Sequence, residues 1–77
     1  MQTQRPELIM YTIYDSPDDA PGRFVVRRFT VAGGVPIPLL DAVVTQTLEQ
    51  ARAFVPEGMA RFVRDPSDAP AIVETWI

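Results

Sequence analysis

Apolar residues in this chain fall into short β-branched and aromatic runs punctuated by Pro, Asp and Gly. The longest run, Arg23-Phe24-Val25-Val26-Arg27-Arg28-Phe29-Thr30-Val31, is bounded by Gly22 and by Gly33-Gly34 and predicts a central strand. Successive strand side chains point to opposite faces, so Arg27-Arg28 gives each face of the sheet one guanidinium. Leu8 to Tyr14 predicts the first strand, with Ile9, Tyr11 and Ile13 on one face and Leu8, Met10, Thr12 and Tyr14 on the other. Both faces are largely apolar. Between the two strands, Asp15 to Gly22 has turn chemistry: Pro17 and Pro21 fix φ, the aspartates can bond their own backbone, and Gly22 permits positive φ.

After Gly33-Gly34 the alternating prolines of Val35-Pro36-Ile37-Pro38 predict an extended segment outside interior ladder bonding, and Ala42 to Thr45 predicts a short third strand. The pattern then changes period. Leu48, Ala51 and Val55 form a helical stripe with Phe54 beside it, while Glu49, Gln50 and Arg52 lie off it. Thr47 with Gln50 fits a capping box, and Pro56 stops the helix after Val55. At about nine residues such a helix depends on tertiary packing. Met59 to Arg64 and Ala71 to Ile77 predict two further strands around the turn Asp65 to Pro70, whose resemblance to the first turn is that of a degenerate repeat or, the favoured reading, of shared turn chemistry.

The expected fold is a single small α+β domain over residues 1–77, a mainly antiparallel sheet of four to five strands with one short helix, in the order ββ(β)αββ. Residues 1–7 are expected to be a frayed terminus. One short helix cannot cover Tyr11, Tyr14, Phe24, Phe29, Phe62 and Trp76 together, so apolar side chains are expected on an open sheet face, where they mark a contact surface.

Composition narrows the chemistry. A domain of 77 residues buries only roughly 60% of its unfolded surface, and the chain has no cysteine to staple it. Without Cys or His, thiol, haem and ordinary zinc chemistry lack their ligands. All seven cations are arginines, so a Schiff-base or phosphate-loop lysine is absent. A net charge of −3 opposes nucleic acid and anionic membranes at long range. No stretch matches a signal peptide or a membrane span, and a cytoplasmic location is expected.

Of the possible constellations, the turn aspartates Asp15, Asp18, Asp19, Asp65 and Asp68 could hold a hard cation, but their spacing is not that of an EF-hand and solvated turn residues are the expectation. Glu74 is the lone glutamate within a predicted strand and reads as the acid of a cross-strand ion pair with strand-borne arginines. Ser16 and Ser67 have no His or Lys to activate them. No catalytic, cofactor-binding or metal-ligating residue is therefore assigned. Arginines interleaved with aromatics could bind single-stranded nucleic acid on an open sheet, or they could make a protein contact.

Several segments together resemble a group of short uncharacterised bacterial proteins: Tyr11-Thr12-x-Tyr14-Asp15-x-Pro17-x-Asp19, Phe24-Val25-Val26-Arg27-Arg28, Thr47-Leu48-Glu49-Gln50-Ala51-Arg52, and Asp65-Pro66-x-Asp68-x-Pro70-x-Ile72-Val73-Glu74-Thr75-Trp76-Ile77. The resemblance implies a small independent protein and transfers no functional residue. The overall expectation is a non-enzymatic binding or regulatory module, a homodimer or the partner of another protein. Its expected contact residues are Arg27, Arg28, Glu74 and Trp76, backed by Tyr11 and Tyr14. Nucleic-acid binding and small-molecule binding or catalysis are the alternatives.

Overall fold

The computed structural model describes residues 8–77, so the expectation for the terminus 1–7 lies outside the described residues. The first two strands, β1 (Leu8–Asp15) and β2 (Phe24–Ala32), pair antiparallel along their full length, from Leu8 opposite Val31 to Asp15 opposite Phe24. Their turn holds Ser16 at a φ of 51°, a region side chains seldom enter, and the Ser16 hydroxyl offsets that strain by accepting the Gly22 N–H at 2.7 Å. Gly33 and Gly34, at φ of 59° and 79°, then make the two-residue turn that right-twisted strands favour.

The next strand, β3 (Val35–Thr45), is longer than the sequence pattern predicts. It absorbs Pro36 and Pro38 because it lies at the edge of the sheet. Two prolines two residues apart have their missing N–H groups on the same side of the strand, and the outer side of an edge strand has no ladder partner to lose. The pairing slips between Arg27 and Phe29, so that Leu39, Leu40 and Asp41 bulge opposite Arg28.

The helix α1 (Leu48–Arg52) is shorter than the apolar stripe predicts. Thr47 caps it, its hydroxyl accepting the Gln50 N–H at 3.1 Å, but the Gln50 side chain reaches back to the Gln46 N–H at 2.9 Å instead of closing the box on Thr47. Beyond Arg52 the bonding tightens to i→i−3, with Phe54 N–H on the Ala51 carbonyl and Val55 N–H on the Arg52 carbonyl, so the chain coils in ahead of Pro56 without continuing an α-helix. The last hairpin pairs β4 (Arg61–Val63) with β5 (Ile72–Trp76), both shorter than the runs that predict them.

The result is a five-stranded antiparallel open sheet with one short helix, element order βββαββ and strand order β3-β2-β1-β5-β4. The chain crosses one face of the sheet from edge to edge, through α1, and returns so that β5 pairs with β1. This puts β1 in the middle of the five, with β2, the run that predicts a central strand, beside it and paired on both sides. The physical reason is charge: β1 is largely apolar on both faces, whereas β2 carries a guanidinium on each and sits one strand nearer solvent. Beneath the helix, Ile13, Val26 and Ala51 form the buried core, and Tyr11, Phe24, Val43, Leu48, Val55 and Trp76 pack around it. On the opposite face, Thr12 and Val25 are buried without a helix above them. They are flanked by Arg27 and Tyr14 in the pairing register, and the β1–β2 turn reaches back over this end of the sheet, where Asp19 meets Arg27 at 2.8 Å.

Candidate functional site on the helix-covered face

Glu74 lies in the middle of β5, opposite Ile13 on one side and Val63 on the other, and its side chain is 2% exposed. A carboxylate at that position needs a cation from whatever covers it. Arg52, at the C-terminal end of α1, supplies it in a two-pronged contact: Nε donates to Oε2 at 2.9 Å and Nη2 to Oε1 at 2.8 Å. The Trp76 indole donates to Oε2 at 2.7 Å, and Arg61 Nη1 stands 3.8 Å from Oε1. The Arg52 hydrogen bonds hold the Glu74 carboxyl below its ordinary range against the opposing effect of burial, with Trp76 and Arg61 adding to them. The same bond makes the Arg52 proton harder to remove than usual. The expected cross-strand pairing of Glu74 is thus present only as the longer Arg61 contact, and the helix carries the main one. With both oxygens engaged, this carboxylate pins helix to sheet.

Trp76 stands opposite Tyr11, and Tyr11 opposite Arg28, so the face continues from this ion pair into a small cavity. Val26, Val43 and Phe54 give its apolar walls, and Tyr11, Arg28 and Asp41 its polar ones, enclosing about 250 Å³. Asp41 comes from the β3 bulge and accepts a hydrogen bond from Arg28 Nη2. That bond, helped by Tyr11, raises the affinity of Arg28 for its proton. Both members of the pair remain open to solvent, Arg28 at 39% and Asp41 at 57% exposure. Phe54, just past α1, is also half exposed.

Of the six residues singled out from the sequence, the structure brings Tyr11, Arg28, Glu74 and Trp76 onto the helix-covered face and places Arg27 and Tyr14 on the opposite face. Burial raises the Tyr14 phenol above its ordinary value, partly countered by the charge of Arg27. Sequence reasoning missed Arg52, Asp41 and Phe54. For Arg52 a signal existed: a glutamate inside the apolar run Ile72 to Trp76 requires a cation on the covering element, and Arg52 is the cation of α1. Asp41 had none, because its position depends on the bulge.

The two Pro-Asp turns do lie side by side, around a shallow hollow of about 400 Å³ bordered by Tyr14, Ser16, Pro17, Asp18, Ala69, Pro70 and Ala71. Three of their aspartates serve the backbone and neighbouring side chains. Asp65 accepts the Ser67 N–H and hydroxyl, which lower its pKa, Asp68 accepts the Asp65 N–H, and Asp19 pairs with Arg27. Among the described residues no cluster of three acidic side chains is placed to hold a metal ion, and no helix is long and apolar enough to cross a membrane.

Compared with known proteins, the chain matches no family model, no curated protein and no solved structure.

Proposed function

We propose that this chain is a protein-binding module that pairs with a second copy of itself through the helix-free face of its sheet. The observation that carries this reading is a charge-free quadrant of that face. In the pairing register Leu8 stands opposite Val31, Met10 opposite Phe29, Phe29 opposite Pro38 and Val31 opposite Pro36, so neighbouring positions on three strands are all apolar. Leu8 is 47% exposed, and Phe62, farther along the same face, 54%. Two chains of net charge −3 repel each other least where neither presents charge. The buried apolar residues among the described ones are only Ile13, Val25, Val26 and Ala51, so covering this quadrant adds substantially to what holds the fold. A sheet of this size presents roughly 600 Å² per face, and the quadrant is a fraction of that against the ~800 Å² per partner of a standard interface, so association weaker than that of a standard interface is expected.

The alternatives have less to rest on. Arg27, Arg28 and Arg52 each meet a carboxylate, which weakens a nucleic-acid surface, and the bonded oxygens of Glu74 are poorly placed for acid–base catalysis. Light scattering across a concentration range tests the reading, with Phe29→Arg to break the face and Leu40→Ser, at an exposed bulge position, as control. A dimer that Phe29→Arg dissociates and Leu40→Ser does not would support it. A monomer at every concentration, or a dimer indifferent to Phe29→Arg, would overturn it.

A further inference from the structure

The cavity on the helix-covered face is independent of the proposed pairing surface, and its lining is specific in chemistry. Its polar side is an ion pair of which only part is engaged. Arg28 has five N–H donors and gives one to Asp41 through Nη2, while Asp41 accepts through Oδ2 and keeps Oδ1. A group with one charge would meet a like charge on one member of this pair: a carboxylate reaching Arg28 faces Asp41, and an amine reaching Asp41 faces Arg28. A zwitterion meets neither penalty, since its two charges can lie antiparallel to the pair, carboxylate on guanidinium and ammonium on carboxylate. The third requirement comes from Val26, Val43 and Phe54, which line the cavity with apolar surface, and from its volume of about 250 Å³. That is just under the range of roughly 300–1,000 Å³ usual for small-molecule sites.

We infer that this cavity binds a free α-amino acid with an apolar side chain, its carboxylate on Arg28, its ammonium on Asp41 and its side chain against Val26, Val43 and Phe54. The Tyr11 phenol, opposite Arg28 in the β1–β2 register, stands beside the carboxylate position and can donate to it. Because both charged contacts form at a solvent-exposed ion pair, affinity is modest and selectivity between zwitterion and single-charge analogue is the signature.

The test is an amide NMR titration of the full chain with L-phenylalanine, phenylacetate and phenethylamine in parallel. Saturable shifts at residues 26–28 and 41–43 with phenylalanine, and binding about tenfold weaker for each single-charge analogue, are the expected result. Asp41→Asn, on an exposed residue, should leave the fold intact, weaken phenylalanine about tenfold and leave phenylacetate unchanged or improved. An absence of saturable shifts with phenylalanine, or equal affinity for phenylacetate in the unaltered chain, would overturn the assignment whether or not the protein is dimeric.

Discussion

The two faces of this sheet are built from the same strands and solve the same problem in different ways. On the helix-covered face a charge is taken inside: Glu74 is almost fully buried and is held by Arg52, Trp76 and Arg61. On the helix-free face the charge is that of Arg27, paired with Asp19 beside the buried Thr12, and the quadrant of Leu8, Met10, Phe29, Val31, Pro36 and Pro38 is apolar and partly open. The covered face therefore stakes its stability on satisfying one carboxylate, and the other stakes little, because its apolar groups are only partly removed from water. Substitutions should hurt far more on the first than on the second.

The largest effect is expected from deleting Trp76 and Ile77. This removes the indole bond to Glu74, packing against the core, and the two backbone bonds between Ile77 and Ala60. A loss of about 3–5 kcal/mol is comparable to the whole stability of a small domain, and circular dichroism should find the truncated chain unfolded at 25 °C.

Next comes the ion pair, where the two partners should not be equivalent. Arg52→Ala leaves a carboxylate that is 2% exposed with only Trp76 and a distant Arg61, at a cost of about 3 kcal/mol in urea unfolding. Glu74→Gln leaves Arg52, already 38% exposed, free to turn to water, and should cost about 1–2 kcal/mol. The double variant should be more stable than Arg52→Ala alone. If Arg52→Ala proved the milder change, burial of the carboxylate would not govern this face.

The same pair sets a pH dependence. Glu74 titrates lower in the folded chain than in the unfolded one, where a glutamate has a pKa of about 4.3. The folded state therefore binds fewer protons in the interval between the two values. The contribution of the pair is complete above the unfolded value and is lost as pH falls through the folded one. Melting curves from pH 7 to pH 3 should show this loss, and Glu74→Gln should flatten it.

Smaller still is the cap: Thr47→Ala removes the acceptor of the Gln50 N–H and should cost about 1 kcal/mol. The smallest effect belongs to the open regions. Val44→Thr on the helix-free face, where Val44 is 55% exposed, should change unfolding by less than about 0.5 kcal/mol. A loss as large as that of the cap would show that this face is more deeply covered than its exposure indicates.

Most of the elements were legible because each rests on local chemistry. The β-branched runs made strands, Thr47 capped a helix, and the prolines and glycines made turns. The errors fell where local signals were weak or where position in the sheet overrode them. Pro36 and Pro38 argued against pairing, and an edge position made them harmless. The stripe Leu48 to Val55 argued for a longer helix, and tightening before Pro56 shortened it.

The site residues divide along the same line. That Arg27 and Arg28 must face opposite ways, and likewise Tyr11 and Tyr14, follows from strand alternation alone. Which of each pair joins Glu74 and Trp76 depends on the β1–β5 register and on which face the chain crosses between β3 and β4. Those choices are made by contacts between residues distant in sequence: Ile13 with Glu74, Glu74 with Arg52, and Arg28 with an Asp41 displaced by a bulge. Alternation is a property of the backbone and can be read one residue at a time. Register and coverage follow from burying one particular carboxylate and one particular apolar cluster, and only the assembled chain could decide them.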